Sequence, residues 1–297
     1  GLLMRTLRRT LLVTTLIAPA LAIAAGLSDA EAMEAEVIHW WTSGGESAAV
    51  AVFAEQFTAA GGTWVDTAIA GGENARAAGI NRIVGGNPPT VMQFNTGAQF
   101  DEIVAAGFLR DVDAVAEAEG WRGVLPEAII DATTRDGSFY AVPVNIHGQN
   151  WLWYSSAVFA DAGLEPPADF AGLVEQAPAL EAAGVIPLAH GGQSWQDHLL
   201  FDAVLVAELG REPFEAIYAA RDEDVVRGDG FRAAAETFGA LRSLVDAGSP
   251  GRNWNDATSL VITGQAATQV MGDWAKGEFI AAGLTAGKEY GCTVLPD

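Results

Sequence analysis

The sequence predicts an α/β fold. From residue 36 onward, short runs of β-branched and aromatic residues alternate with alanine-rich segments of helical composition. The strand-like runs end in polar or glycine-rich turns, and Gly-Gly and Pro-Pro pairs punctuate the helical stretches. A chain of 297 residues with 50% hydrophobic content is long and apolar enough for two domains, each with its own core.

Residues 1–32 are set apart from this pattern. Met4-Arg5, Arg8 and Arg9 form a basic start, 11–25 an apolar run, and the small residues of 20–22 and 30–32 two Ala-x-Ala sites. This is the grammar of a cleaved signal peptide beginning at Met4. The apolar run is too short for a committed membrane span. No cysteine lies directly after it, so the expectation is a free exported protein without a lipid anchor.

Then 37–41 reads as a buried strand, 47–60 as a helix stopped by Gly61-Gly62, and 64–69 as a second strand, which makes a βαβ start. A helix is predicted over 74–84, ended by Gly85-Gly86-Asn87-Pro88-Pro89, and a third strand over 90–94. After a helix at 99–106, residues 108–112 lead into a loop. Strand-like runs at 138–145 and 150–154 flank Ile146-His147-Gly148-Gln149 and are read as a crossing between domains. Further helices are predicted at 158–163, 170–183, 194–208, 231–247 and 256–263, and strands at 185–189, 267–271 and 290–296. There is no internal repeat. The chain stops just after a strand, which reads as a fragment of a longer frame.

Charge and composition exclude several functions. Lys+Arg 16 against Asp+Glu 38 gives −22, which repels nucleic acid and anionic membranes at long range. The single Cys292 allows no disulfide framework or CxxC motif, and the four histidines make no ligand-spaced pair on one helix. No phosphate-binding loop, dinucleotide fingerprint or nucleophile elbow is present, so no cofactor is expected.

The stretch 37–46, Val-Ile-His-Trp-Trp-Thr-Ser-Gly-Gly-Glu, joins a strand end to aromatic faces, hydroxyls, close-approach backbone and a carboxylate. A pyranose ring has weakly polar C–H faces and a rim of hydroxyls, and it is held by such groups. In open α/β sheets ligands bind just past strand ends. Alternation along a strand sends at most one of Trp40 and Trp41 into a cleft unless the chain turns, and both remain possible core residues. Glu46 is either a hydroxyl acceptor or a helix-start residue.

Five motifs in order carry a family resemblance: Trp40-Trp41-Thr42-Ser43-Gly44-Gly45-Glu46, Trp151-Leu152-Trp153-Tyr154, Gly191-Gly192-Gln193-Ser194-Trp195-Gln196, Asn253-Trp254-Asn255-Asp256-Ala257-Thr258, and Met271-Gly272-Asp273-Trp274-Ala275-Lys276-Gly277-Glu278-Phe279. On these the chain resembles the ABC-transporter periplasmic sugar-binding proteins, extracellular solute-binding family 1, in its glucose/mannose-binding branch. The resemblance implies a type II-like fold of two doubly wound lobes around a cleft, with the C-terminal part missing here. It divides the chain into a signal peptide at 1–32, an N-terminal lobe at 36–143, a hinge crossing at 144–149 and a C-terminal lobe at 150–297. The implied partners are a sugar such as glucose or mannose and the membrane permease, with the protein a periplasmic monomer.

By the same resemblance Trp40, Trp41, Glu46, Gln93 and Asn95 form one wall of the site. Asn95 departs from the cationic or imidazole residue usual nearby. Trp195 is the platform from the other lobe, Asp273 the acceptor opposite Glu46, and Trp254, Trp274 and Lys276 flank it, with Trp254 either rim or core. Lysine and histidine contacts from the missing segment would complete the site. The rival readings are an oligosaccharide or polyol binder, a metal- or anion-capturing protein of the same fold, and a glycosidase using Glu46 and Asp273 as paired carboxylates. Tyr140, Tyr154, Tyr218 and Tyr290 are too scattered for iron capture.

Overall fold

A computed structural model describes residues 33–295, so the predicted signal peptide lies outside the described residues. The first unit opens with β1 (Glu34–His39), α1 (Gly44–Ala59), β2 (Thr63–Ala68), α2 (Gly72–Val84), β3 (Val91–Met92) and α3 (Ala98–Ala105). Its sheet has the order β2-β1-β3, and both neighbours run parallel to β1, as successive right-handed βαβ crossovers require. Val37 pairs with Val91 and Ile38 with Met92, and the Gln93 N–H donates to the Ile38 carbonyl at 2.8 Å. The strand predicted over 90–94 is therefore two residues long with one further ladder bond. Ile38, Phe100 and Ile103 are buried in this unit.

The region read as a loop after residue 112 holds three short helices, α4 (Asp113–Ala118), α5 (Trp121–Val124) and α6 (Glu127–Thr133). The hairpin of β4 (Thr134–Arg135) and β5 (Ser138–Phe139) follows. The strand expected at 138–145 stops at Phe139, and residues 141–150 have no regular structure. Val142, Val144 and Ile146 alternate as a strand should, but no described strand pairs with them and all three are exposed. Alternation supplies a face, whereas a strand also needs a neighbour for its backbone hydrogen bonds.

The second unit comprises β6 (Trp151–Ser155), α7 (Ser156–Ala162), α8 (Phe170–Ala182), β7 (Ile186–Leu188), α9 (Ser194–Leu209), α10 (Arg211–Glu215), α11 (Glu223–Arg227), α12 (Asp229–Arg242), α13 (Trp254–Ile262), β8 (Ala266–Met271), α14 (Lys276–Ala281) and β9 (Tyr290–Val294). The sheet order is β7-β8-β6-β9; β7 and β8 are parallel, and β6 is antiparallel to both β8 and β9. It is thus a mixed sheet and not the purely parallel one that a repeated βαβ pattern implies. All six residues of β8 are buried, as a central strand covered on both faces demands. Around it lies the main core, with Leu152, Trp153, Leu200, Val204, Val270 and Phe279. Phe279 stacks on Tyr290 at 4.2 Å between ring centroids and on Trp153 at 5.5 Å.

Register places two chain segments together at one end of this sheet. Trp151, where the chain enters from the crossing, pairs with Met271 on one side and Val294 on the other. The segment that joins the units and the turn after β8 therefore meet, and the candidate site is built there.

Candidate functional site

Three strand ends of the first unit converge on the site. After β1 the chain turns at Ser43, the N-cap of α1: its hydroxyl accepts from the Glu46 N–H, and the Glu46 carboxylate accepts from the Ser43 N–H, both at 3.3 Å. Glu46 thus serves the helix start, the role that the sequence left open beside sugar binding. Burial raises its carboxyl pKa, the nearby Glu278 carboxylate adds to this, and the Ser43 hydrogen bonds oppose it.

The two tryptophans part company. Trp40 packs toward the N-terminus of α2, with the Arg76 guanidinium 5.6 Å from its ring centroid and Gly72 beneath it. Trp41 lines a groove of about 300 Å³ between α1 and β2, with Trp64, Ser47 and the His39–Asp66 pair (Nε2 to Oδ1 2.8 Å). Gln93 spends its carbonyl on the Trp40 N–H at 2.9 Å, so it holds the turn in place. Asn95 is exposed just beyond β3.

The second unit presents an aromatic cluster. Trp274 is 6.2 Å from Trp195, 6.4 Å from Trp254 and 4.9 Å from the His147 imidazole, centroid to centroid. Trp195 is half-buried, and its Nε1–H donates to the Gln193 Oε1 at 3.1 Å. Trp254 is 8% exposed and belongs to the main core, so it supports the cluster from behind and is no rim residue. Trp274 can fold back here because Gly272 has no Cβ; one would run into the Trp274 ring. Lys276 is exposed at the start of α14.

Asp273 is engaged by the crossing segment. His147 Nδ1 lies 2.6 Å from its Oδ1, the Gly148 N–H donates to its Oδ2 at 3.0 Å, and the Asp273 N–H donates back to the Gly148 carbonyl at 2.9 Å. The resemblance makes Asp273 a hydroxyl acceptor opposite Glu46; in the structure it fastens the crossing as well, with 40% of its side chain still open.

Among the described residues, hydrogen bonds join the two units at two places. The Glu278 carboxylate of α14 accepts from the Gly45 N–H at 3.0 Å, at the positive end of the α1 dipole. Beside it, Gly45 and Gly277 approach backbone to backbone, so closely that a Cβ on Gly45 would lie 2.8 Å from the Gly277 Cα. On the α2 side, the Ser194 hydroxyl donates to the Glu73 carboxylate at 3.2 Å. Sequence reasoning missed Glu73, Arg76, His147 and Glu278. His147 and Asp273 are 126 residues apart and Gly45 and Glu278 are 233 apart, separations that leave no local signal.

Two α/β units that meet through α1 and α14 and through Glu73 and Ser194, with an aromatic cluster on one and hydrogen-bonding groups on the other, have the layout of a two-lobe ligand-binding protein. The chain belongs to the bacterial extracellular solute-binding protein family, whose model matches residues 41–297. It is 37% identical over 268 residues to a probable sugar-binding periplasmic protein of Brucella suis, covering 90% of this chain and 63% of that one. A protein of the same description from Rhizobium meliloti is 38% identical over 290 residues, covering 97% of this chain and 69% of its own length. The chain therefore spans about two thirds of the length of these relatives. Among solved structures, the bacterial solute receptor AcbH, described as exclusively preferring β-D-galactopyranose, matches with a TM-score of 0.70 at 20% identity, over 89% of this chain and 66% of its own. At that identity the likeness concerns the two-lobe fold.

Proposed function

We propose that this chain is the periplasmic sugar-capturing component of an ABC importer, holding a monosaccharide of the glucose or mannose type between its lobes and delivering it to the membrane permease. The observation that carries this reading is the Trp195–Trp274–His147 cluster beside Asp273, with Trp40, Arg76 and Glu73 across the cleft. Aromatic faces suit the C–H side of a pyranose, and the ringed polar groups suit its hydroxyls. The sugar-binding description of the Brucella and Rhizobium relatives supports the same substrate class. In this reading, lobes at 36–143 and 150–297 close as rigid bodies by bending the irregular crossing at 144–149.

Capture is favoured over hydrolysis. Glu46 caps α1 and Asp273 fastens the crossing, so each carboxylate has a role in the fold that calls for no catalysis, and the family is one of solute-binding proteins. Titration with glucose, mannose, galactose and a disaccharide, followed by tryptophan fluorescence, tests the proposal. Saturable quenching or a spectral shift with one monosaccharide is expected, without release of reducing sugar from disaccharides. A flat response from folded protein to every sugar rejects it.

A further inference from the structure

We propose that His147 is a sugar-contacting residue, with its imidazole oriented by Asp273 so that Nε2 reads one hydroxyl of the bound ligand. The inference rests on the sugar-binding reading and adds to it a residue from the segment joining the two lobes.

Three constraints fix the ring. Nδ1 lies 2.6 Å from the Asp273 Oδ1, a distance at which the nitrogen donates its proton to the carboxylate. Oδ2 of the same carboxylate accepts from the Gly148 N–H next in the chain, which prevents Asp273 from rotating away. The ring also stands edge-on to Trp274, at 78° between planes and 4.9 Å between centroids, and Trp274 is in turn packed by Trp195 and Trp254. A histidine used only to pin the crossing would need Nδ1 alone.

Nε2 is left over by this arrangement. It makes no hydrogen bond among the described residues, and 31% of the side chain stays open. With the proton on Nδ1, the neutral ring offers Nε2 as an acceptor, and the cation offers it as a donor; either matches a hydroxyl. The carboxylate next to it keeps acceptor capacity of its own, because a carboxylate has about four lone-pair sites and two are taken. His147 and Asp273 together thus form an oriented pair against an aromatic wall, at the point where the lobes join. A residue so placed would respond both to the ligand and to bending of the crossing.

The experiment measures affinity by titration calorimetry for wild type, His147→Ala and His147→Gln. The ligands are whichever of D-glucose, D-mannose and D-galactose binds wild type most tightly, and its series of monodeoxy analogues. Near-UV circular dichroism and thermal melts confirm that each variant is folded. His147→Ala is expected to bind the parent sugar about tenfold more weakly, the size of one good hydrogen bond to a buried partner. It should bind one particular deoxy sugar as tightly as wild type does, because the hydroxyl that Nε2 reads is then already absent. His147→Gln should recover part of the loss on the parent sugar. Parent affinity within twofold of wild type in His147→Ala overturns the proposal. So does an equal loss on every analogue, which is the signature of a ring that merely supports Trp274. Failure of wild type to bind any of the three sugars defeats the sugar-binding reading instead, and is separately visible.

Discussion

Ser43 and Glu46 show how a single turn serves both folding and the cleft. Each satisfies a backbone N–H of the other at the start of α1, the helix end that meets the opposite lobe. Ser43→Ala removes one acceptor and is expected to cost about 1 kcal/mol, read as a lower denaturation midpoint at unchanged slope. Glu46 adds a pH dependence of defined sign. Its folded pKa is raised, mainly by burial, so the folded state holds the proton more tightly than the unfolded chain does. The resulting stabilisation is complete below the ordinary glutamate pKa and is lost as pH rises through the raised value. Asp113, held low by the Phe139 N–H, and Asp246, held low by the Arg252 guanidinium, act in the opposite direction. The wild-type stability minus that of Glu46→Gln isolates the effect. This difference should fall as pH rises above the ordinary glutamate pKa, measured by urea melts across a pH series; a constant or rising difference contradicts it.

The α1–α14 contact is the place where element geometry governs closure. Gly45 and Gly277 let two backbones meet, and a Cβ on Gly277 would stand 3.1 Å from the Gly45 Cα with only rigid main chain to yield. Gly277→Ala is therefore expected to hold the lobes apart, enlarging the radius of gyration of the sugar-bound protein in X-ray scattering and weakening sugar binding by about tenfold, or 1.4 kcal/mol. Glu278→Gln keeps an acceptor for the Gly45 N–H and loses only the charge on the helix dipole, so its loss should be a few-fold, about 0.3–1 kcal/mol. If the two variants bind sugar equally well, the contact has no part in closure. Of the two helices in this contact only α1 was readable in the sequence: α1, like β8 and the helix at 254–262, begins within three residues of its predicted start, because serine, asparagine and glycine turns mark them, whereas the six-residue α14 was not predicted. The helices at 113–133 and 211–227 escaped notice since each is short and mixes charge with apolar residues, with no stripe long enough to register as a period. Of the site, Trp40, Trp195 and Asp273 stood out as strand-end or helix-start residues. Their partners did not, because Arg76, His147 and Glu278 acquire meaning only through contacts over long sequence separations.

At the scale of the whole molecule two opposed surface properties meet. A net charge of −22 repels copies of the chain from one another, while α1 carries an apolar surface with little cover. Of its 16 residues only Val50 is buried, and Val52 at 54% and Phe53 at 46% exposed lie on its outer side. A helix apolar all round is normally enclosed by protein. The groove beside α1 is apolar as well, and Val142, Val144 and Ile146 form a second exposed apolar row in the crossing. Exposed apolar patches of this kind drive association once repulsion is screened, and the Debye length shrinks from about 10 Å at 0.1 M salt to about 3 Å at 1 M. The chain should therefore elute as a monomer at low ionic strength, shift toward larger species as salt is raised, and enhance the fluorescence of an apolar dye such as ANS. Replacing Val52 and Phe53 together with serine should lower the dye signal and keep the elution position constant with salt, since these side chains touch little that folding depends on. An unchanged dye signal in that variant would place the apolar surface elsewhere, and the Val142–Val144–Ile146 row, tested by the corresponding serine variants, would then have to account for it.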